Sequence, residues 1–273
     1  MGVSESASPT AFETPDAKRT ADMDPFGLDV EVRELVAPAF RFLYERYWRV
    51  EVSGAQHVPA EGPVVLVANH SGALPFDGAM IVTAVDTLRH RLVRFLYDRF
   101  VGTVSALDAF YRKVGGVMAA RENAQALLRM GEAVLLFPEG ISGVAKPFSE
   151  RYRLRPFSPG FARLAMQFDV PVVPVAVIGA EEIYPLVGRA EGLGKALGMP
   201  YLPITPFFPL LGLLGALPLP TKWFIRFGAP MRLSAGSLES EYLRARNEAT
   251  RVRRRLQAMV TRQKNRRRSV FFG

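Results

Sequence analysis

The sequence predicts an α/β protein, a mainly parallel sheet flanked by helices. Three observations carry this. The strand-forming stretches are short, continuous, valine-rich apolar runs, as strands covered on both faces require. Helical segments of about ten residues stand between them. Glycine and proline punctuate the joins and break one period from the next.

Residues 1–28 are rich in Ser, Thr, Ala and Pro and slightly acidic. Such a composition buries too little apolar surface to order itself, so a disordered N-terminal segment without a secretory signal is expected. Residues 29–50 then show helical periodicity. Val32, Leu35/Val36, Ala39/Phe40, Leu43/Tyr44 and Tyr47/Trp48 recur every three or four positions. Arg33, Arg41, Arg46 and Arg49 flank the stripe. Rings beside guanidinium groups suit a membrane interface. The same stripe would also pack the helix on its own domain, and both readings stand.

A single domain over 51–235 is expected next. Residues 63–68 read as a buried strand and 77–85 as a helix with Asp77 in its first turn. Residues 93–97 are a strand, and 121–130 are a helix stopped by Gly131. Residues 133–137 and 172–178 are further buried strands, with a helix over 160–168 between them. Residues 223–227 close the set. In such sheets ligands bind beyond the C-terminal strand ends, where His70 and Glu139 fall.

Residues 196–221 carry no charge and six prolines. The length would cross a bilayer, but each proline removes a backbone donor that lipid cannot replace. An apolar loop is expected instead, dipping into a membrane face, covering an acyl pocket, or simply buried. Residues 236–273 form a basic C-terminal helix and tail. Leu238, Tyr242, Ala245, Ala249, Val252, Leu256 and Met259 are spaced alternately by four and three. That is one apolar stripe, expected to dock on the domain. The arginines off the stripe face out.

The chain has 273 residues and a formal net charge of +9, with no cysteine. Disulfides, thiol nucleophiles and thiolate metal sites are therefore excluded. From residue 251 onward there are nine Lys/Arg and no Asp/Glu. A cationic end with Phe271 and Phe272 suits anionic lipid, and no nucleic-acid partner is expected. The three histidines, 57, 70 and 90, form no metal-ligand spacing, so no metal is expected. No Gly-x-Ser-x-Gly elbow occurs, which removes a serine hydrolase. Gly192, Gly194 and Gly198 lack the strand and helix a dinucleotide loop needs.

Chemistry concentrates in four stretches: Asn69-His70 with Asp77, GGVMAAREN at 115–123, FPEGISG at 137–143, and VPVVPVAVIG at 170–179. A neutral imidazole takes a proton from an alcohol near neutral pH. A carboxylate on its other nitrogen fixes the tautomer and stabilises the imidazolium. Glu139 is placed to accept hydrogen bonds from a polyol or to orient an arginine. Arg121 opens a helix, where free N–H groups and a guanidinium together suit an anion. Pro171 and Pro174 sit in a strand, which central strands rarely tolerate.

Together, the order and spacing of these stretches resemble the lysophospholipid and glycerolipid acyltransferase superfamily over roughly residues 50–230. The blocks matched are Asn69-His70 with Asp77, Gly116 with Arg121, Phe137 to Gly140, and Val170 to Pro174. The resemblance implies an acyltransferase-type α/β fold and acyl transfer from acyl-CoA or acyl-ACP, as co-substrate without a further cofactor, to a lipid hydroxyl. By position, His70 would be the general base and Asp77 its orienting partner. Arg121 and Glu139 would hold the acceptor, and Gly116 and Gly140 would let backbone approach it. Lys146 and Arg151, within the basic stretch 146–155, are candidates for donor phosphates. Six residues separate His70 from Asp77, where four are commonest. The longer spacing, with KPFSERYRL and GFARLA, resembles the subgroup related to mono- and diacylglycerol acyltransferases. A membrane-associated enzyme on the cytoplasmic face is expected. The alternative is a catalytically inactive, lipid-binding relative.

Overall fold

A computed structural model describes residues 24–70, 76–196, 202–208, 210–234 and 240–273. Of the 1–28 segment expected to be disordered, residues 1–23 lie outside the described residues, as do parts of the 196–221 loop; residues 24–28 are ordered, because Asp24 pairs with Arg94 and Leu28 is buried. The strands are β1 (Glu51–Ser53), β2 (Val64–Ala68), β3 (Val93–Tyr97), β4 (Gly116–Met118), β5 (Ala133–Leu136), β6 (Val172–Ile178), β7 (Gly188–Ala190), β8 (Leu202–Ile204) and β9 (Phe224–Phe227). The helices are α1 (Val30–Phe42), α2 (Phe76–Arg89), α3 (Ser105–Lys113), α4 (Arg121–Arg129), α5 (Ile141–Val144), α6 (Gly160–Gln167), α7 (Glu191–Ala196) and α8 (Glu241–Arg266).

Seven strands form one sheet in the order β1-β9-β6-β2-β5-β3-β4, and β7 and β8 form a separate hairpin. Every pairing in the large sheet is parallel except β6 with β9. The sheet is buried on both faces because side chains alternate. Leu66 and Ala68 of β2 face a core shared with Met80 and Ile81 of α2, Trp48 and Trp223. Val65 and Val67 face a second core with Leu127 of α4, Phe161 of α6, and Ala245, Ala249 and Val252 of α8. Each such buried Val or Leu contributes roughly 1.5–3 kcal/mol.

Two prolines fit the central strand β6 for a local reason. Pro171 precedes its first residue. Pro174 offers its carbonyl to Gly228 N–H at 2.8 Å. Its missing donor falls where the register slips by one residue, between the Val172↔Met231 bridge and the Val175↔Phe227 pair.

The helical stretch after residue 29 is α1, capped by Asp29 Oδ1 accepting from Val32 N–H at 3.1 Å, followed by a π turn over Leu43–Tyr47. Its far end is core, not surface. Tyr44 and Trp48 are buried, and Trp48 stacks on Trp223 with centroids 4.6 Å apart. Leu35 and Phe42 stay exposed. In α8 the stripe from Ala245 to Met259 is buried, but Tyr242 is exposed. Tyr242 lies in the first turn, where Glu241 beside it pairs with Arg163 of α6. Leu238 lies outside the described residues. Among the described residues no helix is long and apolar enough to cross a membrane.

The C-terminal ends of β2, β3, β4, β5 and β6 share one edge of the sheet because these strands run parallel. β9 starts at that same edge, with Phe224 opposite Ile178. The segment between β6 and β9 therefore leaves and returns there.

Candidate active site

Strand β2 ends in Asn69, whose fully buried side chain continues the ladder beyond the last backbone pair. Its Nδ2 donates to the Val177 carbonyl at 3.0 Å, and its Oδ1 accepts from Val177 N–H at 2.8 Å. A side-chain amide thus satisfies two backbone groups that burial would otherwise leave unpaired. It also fixes where the next residue, His70, begins.

Asp77 stands in the first turn of α2, where a helix N-terminus favours a carboxylate. It is fully buried, and its Oδ1 accepts from Gly78 N–H at 2.8 Å. His70 Nδ1 lies 2.8 Å from Asp77 Oδ2. The six-residue spacing is therefore compatible with direct contact, although residues 71–75 lie outside the described residues. A carboxylate on Nδ1 places the proton there and leaves Nε2 as the ring's acceptor. The imidazole also stacks on Phe137, with centroids 4.2 Å apart and planes at 25°.

Glu139 follows β5 on the neighbouring strand end, and its side chain is committed to the protein. Oε1 accepts from His70 N–H at 3.1 Å, and Oε2 from Arg155 N–H at 2.7 Å. Lys146 Nζ is 3.5 Å from the same Oε2 and donates to Glu181 Oε1 at 3.1 Å. Glu181 Oε2 in turn accepts from Tyr152 N–H at 2.9 Å. Burial pushes the Glu181 carboxyl up to about 7, with Lys146 opposing and the charge of Glu139 adding to the shift. A buried chain of charges thus ties the backbone of His70 to the segment after FPEG.

Two glycines shape this turn. Gly140 has φ +55° and ψ −148°, a region that side chains other than glycine rarely occupy. Nothing stands within 4 Å of the Cβ it lacks. Gly143 is the opposite case. A Cβ there would lie 2.8 Å from Glu139 Cβ and 3.1 Å from His70 Cβ. Gly143→Ala is expected to cost about 1–3 kcal/mol of stability, as overpacking does, and to lower turnover by pushing on His70. Gly192→Ala, where a Cβ meets open space, is the control. A thermal melt and a turnover measurement on both variants check this.

The remaining sequence-derived residues are placed differently. Gly116 fits closely against protein: its Cβ would meet the Phe95 ring and the Tyr111 carbonyl at 2.8 Å. It allows β4 to pack, and the expectation of backbone approaching a ligand there is corrected. Lys146 is buried between two carboxylates, so the expected donor-phosphate contact is corrected as well, because its charge is already neutralised. Arg151 is half-buried, with its guanidinium 4.2 Å over the Phe148 ring. Arg121 is exposed and donates to Gln167 of α6 at 3.4 Å. It follows β4, which stands three places from β2, about 14 Å at ordinary strand spacing.

The site therefore consists of an imidazole–carboxylate pair at a parallel-sheet edge, held by a buried glutamate from the adjacent strand end. The Acyltransferase family model matches residues 49–178, the stretch that supplies all of these groups except Glu181. An uncharacterized protein of Mycobacterium tuberculosis is 40% identical over 257 residues, 92% of this chain and 72% of that one. The 1-acyl-sn-glycerol-3-phosphate acyltransferase alpha of Ovis aries is 29% identical, over 57% of this chain and 53% of its own. Among solved structures, the 1-acyl-sn-glycerophosphate acyltransferase PlsC of Thermotoga maritima superposes with a TM-score of 0.56 at 21% identity, covering 88% of this chain and 81% of that one. That likeness is one of fold. The chain belongs to the lysophospholipid and glycerolipid acyltransferase superfamily.

Proposed function

We propose that this acyltransferase moves a fatty acyl group from acyl-CoA or acyl-ACP to a hydroxyl of a glycerolipid or lysophospholipid, with His70 as general base and Asp77 orienting it. The observation that carries the reading is the 2.8 Å contact from His70 Nδ1 to Asp77, which leaves Nε2 as the ring's acceptor. Nε2 takes the proton of the acceptor hydroxyl as its oxygen attacks the thioester carbonyl carbon. Asp77 stabilises the imidazolium that forms. The tetrahedral intermediate collapses, the C–S bond breaks, and the imidazolium returns its proton to the leaving thiolate sulfur. No covalent acyl-enzyme is needed, which accords with a chain without cysteine.

Stacking on Phe137 and the Glu139 bond to His70 N–H hold the ring before substrate arrives, which is worth rate because misplacement is costly. The test is acyl transfer from radiolabelled acyl-CoA and acyl-ACP to glycerol phosphate, lysophospholipid, monoacylglycerol and diacylglycerol. Labelled lipid and released thiol are counted together. Stoichiometric release of thiol and formation of ester with one of these acceptors is expected. Lipid binding without ester from any donor–acceptor pair would sink the reading in favour of the inactive, lipid-binding relative.

A further inference from the structure

We propose that the sheet edge bearing His70 faces an anionic bilayer, and that the loop side chains Phe207, Leu210, Leu211, Leu214 and Leu217 and the Phe271–Phe272 tail are what enters it. The chain passes from β6 to β9 by leaving and returning at that edge, as the Ile178↔Phe224 register requires. On this excursion Phe207, Leu210, Leu211, Leu214 and Leu217 are exposed, Leu210 at 82% and Leu214 at 72%. Buried leucine needs no explanation, but a run of exposed ones on a single loop marks a partner surface.

The tail is brought to the same place. A single nitrogen, Arg49 Nη2, donates to the Pro220 carbonyl at the end of the loop and to the Phe271 carbonyl in the tail. Lys222 N–H donates to the Val270 carbonyl. Tyr47 hydroxyl and Trp48 Nε1 hold the loop's return at Pro218 and Leu219. Arg267 pairs with buried Glu182, directly after β6. Phe272 is left 89% exposed.

Charge selects the occupant. Arg262, Lys264, Arg266 and Arg268 are exposed at the end of α8 and in the tail, while residues 196–221 carry no charge at all. Apolar side chains that insert, bordered by cations that stay at headgroup level, fit an anionic membrane surface. This inference does not depend on which hydroxyl is acylated, because its readout is binding.

The experiment is co-sedimentation of the full chain with phosphatidylglycerol/phosphatidylcholine vesicles and with phosphatidylcholine vesicles. The variants are L210D/L214D, F272D, R266E/R268E and, on the exposed face of α1, L35D. Thermal melts and turnover on a short-chain, water-soluble acceptor report folding. L210D/L214D is expected to lower partitioning at least tenfold, since about tenfold follows from losing one inserted leucine. F272D is expected to weaken binding less, and R266E/R268E to abolish the preference for anionic vesicles and its salt sensitivity. L35D is expected to bind as wild type does. Folded L210D/L214D that binds vesicles normally overturns the proposal, as does loss of binding confined to L35D. Normal vesicle binding with lost turnover on the soluble acceptor also overturns it, and would make the loop a cover over the site. A wild-type chain that ignores vesicles but self-associates through the loop overturns it in favour of a second copy as occupant.

Discussion

Asp77→Asn is expected to lower kcat by about 10³–10⁴-fold while leaving the fold in place. The size follows from two losses that act together. An asparagine can turn its amide N–H₂ toward Nδ1, which puts the imidazole proton on Nε2 and removes the acceptor the reaction needs. It also carries no charge, so the imidazolium formed in the transition state loses its partner in a site where Asp77 is fully buried. Burial makes that partnership stronger than it would be in water. The substitution is nearly isosteric and keeps an oxygen for Gly78 N–H, so the thermal melt is expected to move little. His70→Ala is expected to cost at least as much, and the double variant no more than His70→Ala alone, because the two residues act as a unit. Steady-state kcat and KM for the three variants, with the best donor and acceptor, make the check. Asp77→Asn within tenfold of wild type would mean that the 2.8 Å contact is structural and that another group orients the base.

The contact between His70 and Asp77 was legible because its elements are local in sequence: a histidine after a buried strand, and a carboxylate at the next helix start. The layer order was legible for a similar reason. Runs such as VVLVA and VVPVAVI are strands in almost any context where helices alternate with them. What was hidden depends on contacts between distant segments. β1 and β4 are three residues long, too short to show a period, and exist only because β9 and β3 pair with them. Phe137 reads as the last residue of a strand but leaves the ladder to stack on His70. Asn69 reads as part of a motif, while its task, pairing with Val177, spans more than a hundred residues. Lys146 and Glu181 are ordinary surface types by composition. Only the fold places both beside Glu139 and buries them, and no local pattern carries that information. Gly143 had one visible signal, a second glycine three positions after Gly140, but its need for close approach belongs to the geometry of His70 and Glu139.

Glu139→Ala is expected to destabilise the protein by about 3–5 kcal/mol, the cost of removing one partner from a buried charged set. At about 2–4 °C per kcal/mol for a domain of this size, the melt falls by roughly 6–20 °C. Two backbone groups lose their acceptor at once, His70 N–H and Arg155 N–H, and the Lys146 ammonium loses one of its two carboxylates. This outcome separates two roles for the same carboxylate. If Glu139 chiefly held the acceptor, its loss would raise the acceptor KM and leave the melt alone. If it chiefly holds the strand end, the melt and kcat fall, while KM measured on the folded fraction stays near wild type. The buried geometry favours the second, since both of its oxygens already accept from the protein. Glu139→Ala combined with Lys146→Met provides the sharper form. Lys146 keeps Glu181 as its partner in Glu139→Ala, so removing the ammonium as well is expected to cost further stability, because it leaves the Glu181 carboxyl without a cation in the interior. Glu181 would then lose its cation as well as a like-charged neighbour. Loss of the cation moves its carboxyl up and loss of the neighbour moves it down. A double variant as stable as Glu139→Ala would place the whole cost in the two orphaned backbone N–H groups, and a melt unchanged in Glu139→Ala itself would return this carboxylate to the substrate.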